Sequence, residues 1–119
     1  MNPRIKRVSV KADDIINDLV QWIDNNLDKP LRVTDVAARS GYSQWYLQRV
    51  FRRLMHVSVA EYIRQKKMVL VAKELQASNE SLIRIISRYG YESQQAFTRS
   101  FTNMYNISPG RYRHQLNNS

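Results

Sequence analysis

Two stretches of the chain share one pattern: GYSQWYLQRVF at Gly41–Phe51 and GYESQQAFTRSF at Gly90–Phe101. Each opens with a glycine and an aromatic residue, continues with a serine, and ends in a run whose apolar residues recur at helical spacing. Glycine adopts the left-handed backbone common at helix ends, and a serine side chain can accept a hydrogen bond from the first turn of a helix. Each stretch therefore predicts a helix end, a tight turn and a new helix.

The residues around the two stretches repeat as well. A short helix is predicted before each glycine, at Val33–Ser40 and Leu82–Tyr89, and a longer one after each serine, at Gln44–Met55 and Gln94–Tyr105. The aligned positions are Gly41 with Gly90, Leu47 with Phe97, Phe51 with Phe101, Val57 with Ile107, and Tyr62 with Tyr112. A helix-turn-helix unit thus occurs twice. Duplicated packing alone would produce such a repeat, so the polar faces must decide function.

Three further helices complete an all-α fold of seven helices, in which two helix-turn-helix subdomains are joined by a long central helix. Ala12–Leu27 is amphipathic, with Asp13 and Asp14 in its first turn, where the helix dipole favours anions. Neither glycine nor proline interrupts Ser58–Ala77, and Pro109 opens the last helix at its favoured first position. The predicted divisions are 1–57 (N-terminal tail and first subdomain), 58–77 (linking helix) and 78–119 (second subdomain and C-terminal tail).

The composition narrows the class of protein. The 119 residues suffice for one ordinary domain or two small subdomains, no apolar run approaches the length of a membrane helix, and cysteine is absent. The net charge is +9, whereas residues 1–30 hold five basic and five acidic residues, so the excess lies in 31–119 with both repeats. A polyanionic partner is therefore expected, and a cytoplasmic protein is the default.

The outward faces of the two longer helices carry residues suited to reading DNA bases. On Gln44–Met55 the predicted apolar stripe is Leu47, Val50, Phe51 and Leu54, and the other face carries Trp45, Gln48, Arg49 and Arg52. The matching face of Gln94–Tyr105 carries Gln94, Gln95, Thr98, Arg99 and Thr102. Arginine and glutamine match the edges of guanine and adenine in the major groove, and threonine can contact either base type or a thymine methyl group.

The length of the linking helix adds a geometric argument. About 20 residues give about 30 Å, and neighbouring major-groove faces lie about 34 Å apart. One chain could then place the helices Gln44–Met55 and Gln94–Tyr105, the recognition helices, in adjacent grooves. Because the linking helix is shorter than the groove spacing, a modest bend of the DNA is predicted.

Several polar residues beside these helices are predicted to contact phosphates. Arg39 and Arg88 occupy equivalent places at the ends of the short helices, and Arg53, Arg64, Lys66 and Lys67 lie near the join of the units. The predicted phosphate-contacting set is Arg39, Ser43, Gln44, Arg52, Arg64, Arg88, Ser93 and Thr102. Such contacts position a protein on DNA without specifying sequence.

The chain resembles the AraC/XylS family of bacterial transcription activators, and in particular its short MarA/SoxS/Rob-like group, from about Ile15 to Leu116. The resemblance is carried by SGYSQWYLQRVF (Ser40–Phe51), YIRQKKM (Tyr62–Met68), YGYESQQAFTRSF (Tyr89–Phe101) and P-x-x-Y-R (Pro109–Arg113). It departs at Gln44, where relatives usually have lysine, and at Asn106, where the family often has glycine. Because asparagine tolerates a positive φ, the turn at Asn106 is expected to survive.

The resemblance implies a sequence-specific activator that binds double-stranded DNA as a monomer and recruits bacterial RNA polymerase at genes for stress or multidrug tolerance. The family's base-contacting positions correspond to Trp45, Gln48, Arg49, Gln94, Gln95, Thr98 and Arg99. No cofactor, metal, membrane partner or small-molecule effector is expected, and regulation would follow the abundance of the protein.

Three other readings compete with specific DNA binding. A non-specific nucleoid or RNA-binding protein would also use a charge of +9, and its affinity would fall with salt equally for all sequences. An enzyme is disfavoured, because the two isolated histidines and the scattered carboxylates form no catalytic or metal constellation in the sequence. His56 is interpreted instead as a helix-end residue, equivalent to Asn106. A membrane-surface helix is disfavoured because the basic residues are spread over several helices.

Overall fold

The computed structural model describes residues 3–91 and 93–117, with side chains for 11–91 and 93–115. Within those residues the chain forms seven α-helices and no β-strand, which confirms the all-α prediction. The helices are α1 (Pro3–Asp24), α2 (Val33–Ser40), α3 (Gln44–Met55), α4 (Val59–Ala77), α5 (Leu82–Arg88), α6 (Gln94–Tyr105) and α7 (Pro109–Asn117). Residues 1, 2, 118 and 119, at the ends of the predicted tails, lie outside the described part.

Three helices match the sequence prediction to the residue at both ends, and the largest difference from the prediction is in α1. α2, α3 and α6 have the predicted limits, whereas α1 begins at Pro3 rather than Ala12 and ends at Asp24 rather than Leu27. Proline is favoured at the first position of a helix, and no helix breaker follows Pro3 before the turn. The placement of Asp13 and Asp14 in the first turn was therefore wrong, because both lie in the middle of α1.

The long helix α4 begins one residue later than predicted because Ser58 caps it. The backbone N–H of Glu61 donates to Ser58 Oγ at 3.1 Å, which satisfies a group that the first turn of a helix leaves unpaired. α5 ends at Arg88, one residue before the predicted end at Tyr89, because Tyr89 occupies the cap position after the helix.

The chain divides into two compact units, Met1–Leu27 with Leu31–Arg64, and Asp28–Pro30 with Gln65–Ser119. The helix α4 runs from the first unit into the second. The short segment Asp28–Pro30 follows α1 in the chain but belongs to the second unit.

The first unit packs α1, α2, α3 and the start of α4 around apolar side chains. Its fully buried residues include Ile16, Leu19, Ile23, Val36, Leu47, Phe51 and Val59. The ring of Tyr62 meets Phe51 edge-on at 5.7 Å, and Tyr62 OH donates to Asp24 Oδ1 at 3.0 Å. Burial and this hydrogen bond to a carboxylate raise the pKa of Tyr62. Leu54 was predicted to lie in the apolar stripe of α3, but its side chain is 36% exposed and is not part of this core.

The second unit repeats this packing with other side chains. Its core consists of Met68, Val71, Ala72, Leu75, Ile85, Ile86, Tyr89, Phe97 and Phe101. Tyr112 meets Phe101 edge-on at 5.4 Å, as Tyr62 meets Phe51 in the first unit. The sequence repeat therefore corresponds to a repeated aromatic pair.

Candidate nucleic-acid interface

The first turn positions α3 through backbone geometry and a serine cap. Gly41 has a φ of 79°, and its N–H donates to the Ala37 carbonyl oxygen at 3.1 Å, which ends α2. Ser43 then accepts a hydrogen bond from the backbone N–H of Tyr46 at 3.2 Å. The predicted glycine helix end and serine cap are both confirmed.

Outside this turn, α3 presents a polar face opposite its buried stripe. Trp45 is 68% exposed, and the Arg49 guanidinium carbon lies 5.4 Å from the centroid of a Trp45 ring. Gln48 is half-buried beside them, and Arg52 is exposed one turn further along. The attraction between a guanidinium and an aromatic ring, about 0.5–1 kcal/mol at an exposed site, favours this position of Arg49 over Trp45.

The second turn positions α6 in the same way. Gly90 has a φ of 81°, and the backbone N–H of Ala96 donates to Ser93 Oγ at 3.1 Å. Phe97 and Phe101, the predicted stripe of α6, are fully buried. At the far end Asn106 caps α6 with a φ of 61°, and His56 caps α3 with a φ of 66°. Both residues are thus helix-end residues, as predicted.

The polar face of α6 lines an open depression in the protein surface. The side chains that line it are Gln94, Gln95, Thr98, Arg99, Thr102 and Asn103. Asn103 was missing from the predicted residues, although it lies four positions after Arg99 and so on the same face. The structure therefore brings together the predicted base-reading residues of each unit, as one group on α3 and another on α6.

Among the predicted phosphate-contacting residues of the first unit, Arg39, Gln44, Arg52 and Arg64 have exposed side chains. Arg39 lies over the ring of Trp22, with its guanidinium carbon 5.8 Å from the ring centroid. Ser43 is exposed as well as serving as the cap of α3.

In the second unit, the predicted phosphate-contacting residue Arg88 is already paired with carboxylates. Its guanidinium forms ion pairs with Glu74 and with Glu80, the latter at 2.6 Å. Hydrogen bonds to these carboxylates raise the pKa of Arg88, and the bond from Arg88 lowers the pKa of Glu80. A phosphate at this position would compete with the two glutamates for the guanidinium. Ser93 and Thr102 are exposed.

Lys67 does not lie on the surface, although the sequence grouped it with the basic residues near the join. Its side chain is 7% exposed, and its Nζ donates to two backbone carbonyl oxygens, those of Lys29 and Tyr89. An ammonium buried and bonded in this way is not available to a phosphate, so Lys67 is not one of the residues of that basic group that could provide such a contact.

The serine caps that start the recognition helices can be tested separately from DNA binding. Ser93→Ala is expected to lower the free energy of unfolding by about 1 kcal/mol, because the N–H of Ala96 loses its acceptor. Ser93→Gly is the matched control and should cost only a few tenths of a kcal/mol, since glycine is itself tolerated at this position. Urea unfolding followed by circular dichroism measures both, and equal losses would contradict the capping role.

The described residues contain neither a membrane-spanning helix nor a metal-binding cluster. No helix there is long and apolar enough to span a bilayer. No three of the described His, Asp and Glu side chains come together in a group that could hold a metal ion.

Comparison with known proteins identifies the family. The profile of a helix-turn-helix domain family matches residues 31–115. The chain is 45% identical over 102 residues to the regulatory protein SoxS of Escherichia coli K12, which covers 86% of this chain and 95% of SoxS. It is 44% identical over 98 residues to the multiple antibiotic resistance protein MarA of Salmonella typhimurium, which covers 82% of this chain and 77% of MarA. The chain belongs to the AraC-type family, in the group of MarA and SoxS.

The fold of this AraC-type protein is similar to that of a domain whose structure was solved with DNA. The DNA-binding domain of AdpA, a global transcriptional factor crystallised with a target DNA, superposes with a TM-score of 0.80 at 24% identity, covering 84% of this chain and 90% of that domain. Members of the AraC-type family are transcription regulators rather than enzymes. The protein is accordingly a DNA-binding transcription regulator, and the predicted family and fold are confirmed.

Proposed function

We propose that the protein binds one asymmetric site in double-stranded DNA as a monomer, with α3 and α6 in adjacent major grooves. The observation that carries the proposal is the pair of capped helices with unlike exposed faces. α3 offers Trp45, Gln48 and Arg49, whereas α6 offers Gln94, Gln95, Thr98 and Arg99. Because the faces differ, the two halves of the preferred site should differ in sequence.

The linking helix supports binding to adjacent grooves. α4 has 19 residues, and at about 1.5 Å per residue a straight helix of this length extends about 28 Å. One turn of DNA extends about 34 Å. The difference favours a modest bend of the DNA toward the protein, at a cost of a few kcal/mol, about 1–6, that depends on the sequence being bent.

The phosphate contacts are proposed to come from exposed residues at the borders of both faces. These are Arg39, Ser43, Gln44, Arg52, Arg64, Arg88, Ser93 and Thr102. Each arginine that neutralises a phosphate steepens the decrease of affinity with salt concentration. Arg88 would have to leave Glu74 or Glu80 to do so, and we therefore expect it to contribute less than Arg39.

We further propose that the bound protein activates transcription by recruiting bacterial RNA polymerase, in the cytoplasm at the nucleoid, at genes for stress or multidrug tolerance. The similarity to SoxS and MarA supports this proposal. No small-molecule effector is required in it. In a purified transcription assay, the protein should raise transcript yield from a promoter that carries its site and leave a promoter without the site unchanged.

Selection of bound duplexes from a random pool, followed by footprinting, tests the DNA-binding proposal. We expect two unlike half-sites about one helical turn apart on one face of the duplex, occupied by one protein chain per duplex as measured by mass photometry. A single short half-site would rule out insertion of both helices. Enrichment of no sequence at all would instead indicate the non-specific nucleic-acid-binding protein that the net charge also permits.

A further inference from the structure

Lys67 is the one buried charged side chain in the described part of the chain. Its Nζ donates to the carbonyl oxygen of Lys29 at 2.9 Å and to that of Tyr89 at 2.5 Å. Burial lowers the pKa of Lys67, and the nearby Asp28 carboxylate acts in the opposite direction. Since burying an ammonium is costly unless it is hydrogen-bonded, this arrangement joins the two carbonyl groups strongly.

The two carbonyl groups lie on either side of a close backbone contact. Tyr89 precedes Gly90, and Lys29 precedes Pro30, all within the second unit. A β-carbon at Gly90 would lie 3.0 Å from Pro30 Cα, so the backbones of the two residues pass close to each other. Lys67 therefore bridges the segment Asp28–Pro30 and the turn that leads into α6.

The contacts of Lys67 continue from this turn into α6. Lys67 Nζ lies 5.9 Å from the ring centroid of Tyr91, and Tyr91 meets the ring of Phe97 edge-on at 5.0 Å. Phe97 is fully buried in α6 and directly precedes Thr98, a predicted base-reading residue. Lys67 thus contacts both residues that flank Gly90, and one of them packs against the inner face of α6.

We propose that Lys67 is a positioning residue that sets the orientation of α6 and so determines base discrimination in the half-site that α6 reads. This inference rests on the DNA-binding function proposed above. The described residues of the first unit include no buried charged side chain, so the turn before α3 is held without such a group. The α3 half-site should therefore be independent of Lys67.

Fluorescence anisotropy with the full chain tests the proposal. The probes are the selected duplex, a duplex altered in the α6 half-site, and a duplex altered in the α3 half-site. For each half-site, the affinity for the selected duplex divided by the affinity for the altered one gives a discrimination ratio. Lys67→Met removes the donors but keeps an extended side chain. It should lower the α6 ratio by about tenfold, equivalent to about 1.4 kcal/mol, and leave the α3 ratio within about twofold.

Val71→Ala is the matched control for stability, because Val71 is fully buried on the same helix. It should reduce the folded fraction without changing either ratio. If Lys67→Met keeps the α6 ratio, or lowers both ratios equally, Lys67 serves stability only and the proposal is overturned. If Lys67→Met fails to fold, Lys67→Arg is measured in its place, because it keeps the charge but changes the length of the side chain. A decrease of the α6 ratio alone supports the proposal, and two unchanged ratios overturn it. A wild-type chain without discrimination at either half-site would instead refute the proposed function.

Discussion

Replacing Arg49 with alanine is expected to weaken binding to the selected duplex by about 1–3 kcal/mol, which is roughly 5- to 150-fold. The guanidinium has a forked geometry that can donate two hydrogen bonds to one guanine, and Trp45 holds it in an exposed position on α3. Discrimination should decrease at one base position in the α3 half-site. Arg99→Ala should have the same effect at one position of the α6 half-site.

Arg53 provides a matched control for Arg49 because it is an exposed arginine on the same helix, outside the predicted base-reading residues. Arg53→Ala removes the same charge and should weaken the binding of all duplexes by a similar factor. The measurement is anisotropy at a fixed salt concentration with duplexes that differ at single base pairs. If Arg49→Ala lowers affinity for every duplex equally, Arg49 contacts phosphate and does not read a base.

Gly90→Ala is expected to destabilise the protein by about 2–5 kcal/mol, by far more than a typical surface substitution. Two costs combine at this position. The φ of 81° is unfavourable for any residue with a β-carbon, and that carbon would lie 3.0 Å from Cα and 3.1 Å from N of Pro30. Because these are backbone atoms, a side-chain rotation cannot relieve the contact.

The equivalent substitution Gly41→Ala separates the two costs. Gly41 has nearly the same φ, 79°, but a β-carbon there would meet no atom within 4 Å. Gly41→Ala should therefore lower the free energy of unfolding by about 1–2 kcal/mol, from the backbone conformation alone. Denaturant unfolding of both variants measures the difference, and equal losses would show that the segment Asp28–Pro30 moves away from Gly90 without cost.

Much of the fold could be predicted because the signals are local. Gly41 and Ser43 mark the ends of neighbouring helices in the sequence, and the structure confirms their conformation and hydrogen bonds. The repeat aligned Phe51 and Tyr62 with Phe101 and Tyr112, which form the same edge-on ring pair in both units. The outward faces followed from helical spacing as well, whereas the assignment of individual residues to bases and phosphates remains a prediction.

The features that sequence reasoning missed depend on contacts between distant residues. Lys67 donates to a carbonyl oxygen 38 positions away, and no local pattern distinguishes it from an exposed lysine such as Lys66. The pairing of Arg88 with Glu74 likewise joins residues 14 positions apart. The start of α1 was missed for another reason: the basic residues at its start resemble a tail, although Ile5 and Val8 continue the helical spacing of the apolar residues that follow.

The repeated aromatic pair has a consequence for protein engineering. Because Phe51 and Tyr62 hold the inner side of α3 as Phe101 and Tyr112 hold that of α6, we expect that the outer residues of one helix can be transplanted onto the other without repacking. A chimera whose α3 carries the outer residues of α6 should still fold, and its preferred duplex should contain the same half-site twice. The natural chain would then be one of several DNA-binding proteins that can be made by combining two interchangeable helix surfaces.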